Sequence, residues 1–102
     1  MNLNKVILIG RITHDIELNK TTKDESVCNF TLATNEKWQD KERTQFHRVS
    51  LWGNLAEVVA NYCSKGSLLM VEGKIQYRDY KDKQITEIVG NNIQLGPNKL
   101  TK

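Results

Sequence analysis

The stretch Thr44-Gln45-Phe46-His47-Arg48-Val49-Ser50-Leu51-Trp52-Gly53-Asn54-Leu55-Ala56-Glu57-Val58-Val59-Ala60-Asn61-Tyr62 changes its period in the middle. As far as Trp52 it reads as a β-strand, whose residues alternate between two faces. One face carries Phe46, Arg48, Ser50 and Trp52; the other carries Gln45, His47, Val49 and Leu51, which suits a core or a subunit interface. After Gly53, the apolar residues Leu55, Val58, Val59 and Tyr62 recur at i, i+3, i+4 and i+7, the stripe of an amphipathic helix. Asn54 and Glu57 have the spacing of a capping box, and Lys65-Gly66 supplies a stop. A strand that runs through one tight turn into a single helix is the pivot of the whole chain.

The flanking segments are strands. Leu3 to Arg11 is rich in Val and Ile. Val27 to Thr34 alternates, with Cys28, Phe30 and Leu32 on one side. Ser67 to Tyr77 carries Gly73 in its middle, which predicts a bulge or a sharp bend. Ile85 to Leu95 is the last strand, stopped by Gly96-Pro97-Asn98. His14 to Glu25 reads as a loop with a short strand near Glu17-Leu18, Asn35 to Arg43 as a charged loop, and Arg78 to Gln84 as a polar connection. Three strands, one helix and two strands predict a mainly β, five-stranded OB-fold, a Greek-key barrel with its helix between strands three and four. A ferredoxin-like arrangement would need a second helix. The expected organisation is one domain over residues 1–97 and a short frayed C-terminus over 98–102.

Composition narrows the function. The chain has 102 residues, 15 Lys and Arg against 12 Asp and Glu, and a formal net charge of +3, with no long block of like charge. That balance is compatible with a polyanionic partner without demanding one. The N-terminus lacks the longer apolar segment of a secretion signal, so a cytoplasmic setting is expected. Cys28, Cys63, His14 and His47 stand apart, without the spacing of metal ligands, so neither a metal nor another cofactor is expected. A nuclease on this fold would need gathered carboxylates or a His beside an acid, and the sequence has no such cluster; no catalytic residue is assigned.

The aromatic face of the central strand carries the functional signal. Phe46 and Trp52 are two rings with the Arg48 guanidinium between them. Bases stack on rings and phosphates pair with cations, so this alternation suits single-stranded nucleic acid. A duplex hides its base faces. An ordinary core strand would also carry large aromatics, which makes the exposure of these rings the deciding observation. A pure protein-interaction module is the competing class, and it predicts no response of the tryptophans to an oligonucleotide.

Four segments, in order, resemble the bacterial-type single-stranded DNA-binding proteins. They are Asn4 through Ile12 (NKVILIGRI), Asn29 through Trp38 (NFTLATNEKW), Phe46 through Val58 (FHRVSLWGNLAEV), and Lys65-Gly66-Ser67 through Val71-Glu72-Gly73. The resemblance implies stacking at four places, occupied here by Trp38, Phe46, Trp52 and Tyr80. Ring types differ from the usual ones at the last three, yet all stay aromatic. Arg48 is the foremost phosphate contact, with Lys5, Arg11, Lys37, Lys41, Arg43, Lys74 and Arg78 as further candidates. The implied role is sequence-tolerant binding and protection of single strands in DNA replication, recombination and repair, by a nucleoid-associated homotetramer. A tail-less, dimeric primosomal replication protein of the same fold is the alternative. Three departures stand out: the loop after Trp38 and the hairpin near Tyr80 are short, Ile16 replaces a common Pro, and Met70 stands where an aromatic is frequent near the subunit interface. The matching His of the family lies near that interface, which implies a packing role for His47. The family usually continues into a flexible tail with an acidic tip that recruits replication and repair enzymes. The sequence to Lys102 carries none, so tail-mediated recruitment is not expected of this stretch.

Overall fold

Strands β3 (Ser26–Trp38) and β4 (Lys41–Trp52) form an antiparallel hairpin in register from Val27 opposite Trp52 to Trp38 opposite Lys41. The computed structural model describes residues 1–97. The other elements are β1 (Val6–Ile12), a two-residue β2 (Asn19–Lys20), α1 (Asn54–Tyr62), β5 (Leu68–Tyr80) and β6 (Lys83–Leu95). The sheet order is β1-β5-β6-β4-β3-β2, and β1 also pairs with β3 at Arg11–Ala33 and Ile12–Leu32. That last pairing closes five strands into a barrel, with one helix between β4 and β5, as an OB-fold requires. The expected five strands are all present, and β2 is the small addition, one residue beyond where a short strand was expected.

The core follows from period-two alternation. Cys28, Phe30 and Leu32 of β3 meet Val49 and Leu51 of β4, Leu69 and Val71 of β5, Ile88 of β6 and Ile12 of β1. Ala56 and Val59 of α1 complete this cluster, both fully buried. The helix therefore stops one end of the barrel, and Tyr62, expected in its apolar stripe, stays 66% exposed. Closure also needs a bend. The β5–β6 register shifts between Glu72 and Gly73, where a Cβ would run into the carbonyl oxygen of Val89. The expectation for Gly73 holds, because only a residue without a side chain lets the two backbones approach so closely.

Three local expectations are corrected. The segments read as a charged loop and a polar connection are strand. β3 and β4 run on to a two-residue turn at Gln39-Asp40, and β5 and β6 to one at Lys81-Asp82. Lys81 and Asp82 both have positive φ, 49° and 64°, which suits a type I′ hairpin turn. The capping box does not form: Gly53 is the N-cap, with no side-chain cap bond, and Glu57 accepts a hydrogen bond from Ser26 Oγ at 2.9 Å instead. The helix ends at Cys63, three residues before Gly66, whose φ of 92° serves the following turn. The expected frayed end, 98–102, lies outside the described residues.

Candidate nucleic-acid interface

Beyond the barrel, the two hairpins stand out as arms. β4 and β6 pair in parallel only at Val49–Ile88 and Ser50–Val89, so past those pairs the strands diverge. Register then assigns every side chain to a side. The outward face of β4 holds Phe46, Arg48, Ser50 and Trp52. Their cross-strand partners on β3 are Ala33, Thr31, Asn29 and Val27, small or modest residues that cannot cover a ring. Phe46 is 67% exposed and Trp52 43%. Ser50 alone on this face is buried, where β4, β6 and β5 run side by side through Ser50–Val89 and Lys74–Val89.

The same face continues onto β6 and β5. Gln76 lies opposite Glu87, Arg78 opposite Ile85 and Tyr80 opposite Lys83, with Lys74 beside Val89. Tyr80 is 52% exposed, and the Lys81 ammonium sits 5.2 Å from its ring centre, a cation–π contact. Between the arms lies a cavity of about 360 Å³ lined by Arg48, Tyr80, Lys81, Lys83 and Ile85. Three cations, a ring and an aliphatic side chain offer both phosphate pairing and a stacking surface. Lys81, Lys83 and Ile85 are not among the candidate contacts drawn from the sequence. A two-residue turn after Tyr80 would have exposed them, since it forces Lys83 opposite Tyr80.

The remaining predicted residues are distributed unevenly. Arg11 shares a register row with Ala33 and Phe46, and its guanidinium donates to the Gly66 carbonyl at 2.9 Å. Lys37 shares the outward side of its arm, opposite Glu42. Trp38, Lys41 and Arg43 fall on the reverse side of the β3–β4 arm, where with Glu36 they line a cavity of about 380 Å³. Trp38 is 73% exposed there. Lys5 stands apart before β1, its ammonium 3.6 Å from Glu72. Arg78 is not a free cation: its Nε donates to Glu87 Oε1 at 3.1 Å. His47 faces the barrel side and shares a hydrogen bond with Thr34 Oγ1 at 2.8 Å.

No cluster of His, Cys, Asp or Glu among the described residues could hold a metal ion. Cys28 and Cys63 are free thiols. Burial, and then the neighbouring Cys63, push the Cys28 thiol up to about 11; burial also raises Cys63. Both are poor nucleophiles, since the thiolate is the reactive form. No helix among the described residues is long and apolar enough to cross a membrane.

A five-stranded Greek-key barrel whose arms present exposed rings among cations has the architecture of the oligonucleotide- and oligosaccharide-binding barrels. The chain belongs to the single-strand binding protein family, whose profile matches residues 3–96. It is 42% identical to a single-stranded DNA-binding protein of Neisseria meningitidis, over 93% of this chain and 60% of the relative. It is 41% identical to single-stranded DNA-binding protein 1 of Chlorobaculum tepidum, over 91% of this chain and 64% of that one. A single-stranded DNA-binding protein of Streptococcus mutans is 38% identical over 98% of this chain and 66% of its own length. The chain thus spans about three fifths to two thirds of the length of these relatives.

Proposed function

We propose that this chain binds single-stranded DNA with little sequence preference and shields it during replication, recombination and repair, acting by binding alone and without catalysis. The observation that carries this reading is the exposure of Trp38, Phe46, Trp52 and Tyr80, at 73, 67, 43 and 52%, among cations on the arms. Large rings left in water in a domain with a well-filled core need a partner with flat apolar faces. Unpaired bases have such faces, and each stacking contact is worth roughly 1–3 kcal/mol. Arg48, with Lys81 and Lys83, takes phosphates between the rings. Trp38, Lys41 and Arg43 on the reverse of the arm take a further stretch, so the strand turns around the β3–β4 edge. The setting is the cytoplasm, at the nucleoid.

Assembly belongs to the same reading. Ile7 and Ile9 on the outward side of β1 are 56 and 62% exposed, and Ile9 lies beside Met70 of β5. Among the described residues β1 meets β3 only at Arg11 and Ile12, which leaves the first half of its other edge open. Open edges and apolar faces invite pairing between copies. A homotetramer of paired dimers satisfies both features with closed symmetry.

Titration with a thymine oligonucleotide tests the function. Trp38 and Trp52 fluorescence should be quenched, a duplex of equal length should compete poorly, and log K should fall against log salt with a slope of about −0.7 per phosphate neutralised. Unchanged fluorescence with no competition by single strands would contradict the reading. Light scattering checks assembly in the same samples: a tetramer is expected, and a monomer at micromolar concentration would contradict it.

A further inference from the structure

Glu87 is out of place on this face. Among the described residues it is the only buried charged side chain, 7% exposed. Its neighbours on the same side of β6 are the aliphatic Ile85 and Val89. Gln76 lies opposite on β5, and Arg48 stands one alternation along β4 from the Ser50–Val89 pair. A buried carboxylate carries a desolvation penalty that one ion pair seldom more than offsets. A negative charge between arginines also opposes phosphate binding. Neither barrel stability nor backbone affinity accounts for an acid here.

The hydrogen bonding leaves one oxygen unused. Arg78 Nε engages Oε1 at 3.1 Å, and among the described residues Oε2 has no hydrogen bond. No buried side-chain oxygen or nitrogen among the described residues lacks a partner, so Oε2 is not sealed from solvent, although Glu87 as a whole is only 7% exposed. An ionised carboxylate only accepts hydrogen bonds. The groups that could meet it on an unpaired base are the N–H donors of a Watson–Crick edge, which single strands leave free. Guanine presents two adjacent donor groups there, N1–H and N2–H₂. Thymine presents one N–H between two carbonyl oxygens, which the carboxylate repels.

We propose that Glu87 reads the edge of one base, Oε2 accepting from guanine, and gives an otherwise sequence-tolerant interface a local preference for guanine over thymine. This rests on the single-strand reading above. Arg78, engaged with Oε1, fixes the carboxylate as a positioning residue, and Arg48 on the neighbouring strand holds the backbone beside the base being read.

The test compares three oligonucleotides of about a dozen nucleotides, a length near one barrel's footprint. One is all thymine, one carries a single central guanine, and one carries inosine there, which lacks the N2 amino group. The guanine strand should bind the intact protein roughly tenfold more tightly than the thymine strand, and inosine should lose part of that advantage. Glu87→Val, matched to its aliphatic neighbours and checked by melting, should abolish the guanine advantage. Equal binding of guanine and thymine strands, equal binding of guanine and inosine strands, or an advantage that survives in Glu87→Val would each overturn the proposal. Absence of binding to the all-thymine strand would instead defeat the single-strand reading, so the two failures are distinguishable. The inosine comparison decides the matter even if the variant does not fold.

Discussion

From Val49 to Leu51, β4 is enclosed: β3 lies on one side, β6 on the other, and the helix beyond. From Lys41 to Arg48 the same strand is flanked by β3 alone. Alternation continues unbroken through both halves, yet it has different consequences. In the barrel half, Val49 and Leu51 are fully buried. In the arm half, Phe46 remains 67% exposed, and Gln45, on the barrel side, is exposed too. Alternation decides which way a side chain points; topology decides whether anything covers it. The apolar residues of the barrel serve the fold; the rings of the arms are left uncovered, and under the proposed function they serve a ligand.

The largest effect that can break this contrast is in the barrel. Leu51→Ala removes a fully buried side chain and should cost about 2–5 kcal/mol of stability by denaturant unfolding. In a domain whose total stability is about 5–15 kcal/mol, that loss is plain in a melting curve. A cost below about 1 kcal/mol would show that the barrel half of β4 is not the tightly packed region described.

A smaller effect sharpens the picture of the core. The buried Cys28 thiol titrates at about 11 in place of its usual 9.0. Between those values the unfolded chain releases its proton while the folded chain keeps it. Stability from this group is therefore complete below pH 9 and declines as pH rises through about 11, by roughly 2–3 kcal/mol. The expected measurement is a fall in unfolding free energy across that window that is less steep in Cys28→Ala. Equal slopes would mean that the thiol is not sealed in the barrel.

The sequence made the barrel legible because its strands bury one face. Cys28, Phe30 and Leu32 alternate against polar neighbours, and the change of period at Gly53 marks the helix. The arms were less legible. Asn35 to Arg43 and Arg78 to Gln84 are charged and polar, which resembles loop, because an arm strand with no covered face has no reason to alternate in polarity. The rings and Arg48 could be placed on one face by counting alone. That Trp38 lies on the reverse side required the hairpin register, and so did the cavity shared by Arg48, Lys81 and Lys83. Glu87 was invisible, since Thr86-Glu87-Ile88 reads as an ordinary exposed–buried alternation. It lies opposite Gln76 of β5 and is held by Arg78, neighbours that only the hairpin register reveals.

The smallest expected change in stability carries the most direct test. Phe46→Ala leaves Trp38 and Trp52 as fluorescent probes and removes a ring that the barrel does not enclose. Affinity for a thymine oligonucleotide and unfolding free energy should be measured on the same preparation. The predicted result is binding weaker by roughly 1–3 kcal/mol, with stability altered by about 0.5 kcal/mol or less. A stability loss of about 3–5 kcal/mol with undiminished affinity in the folded fraction would contradict it, because that is the signature of a core phenylalanine.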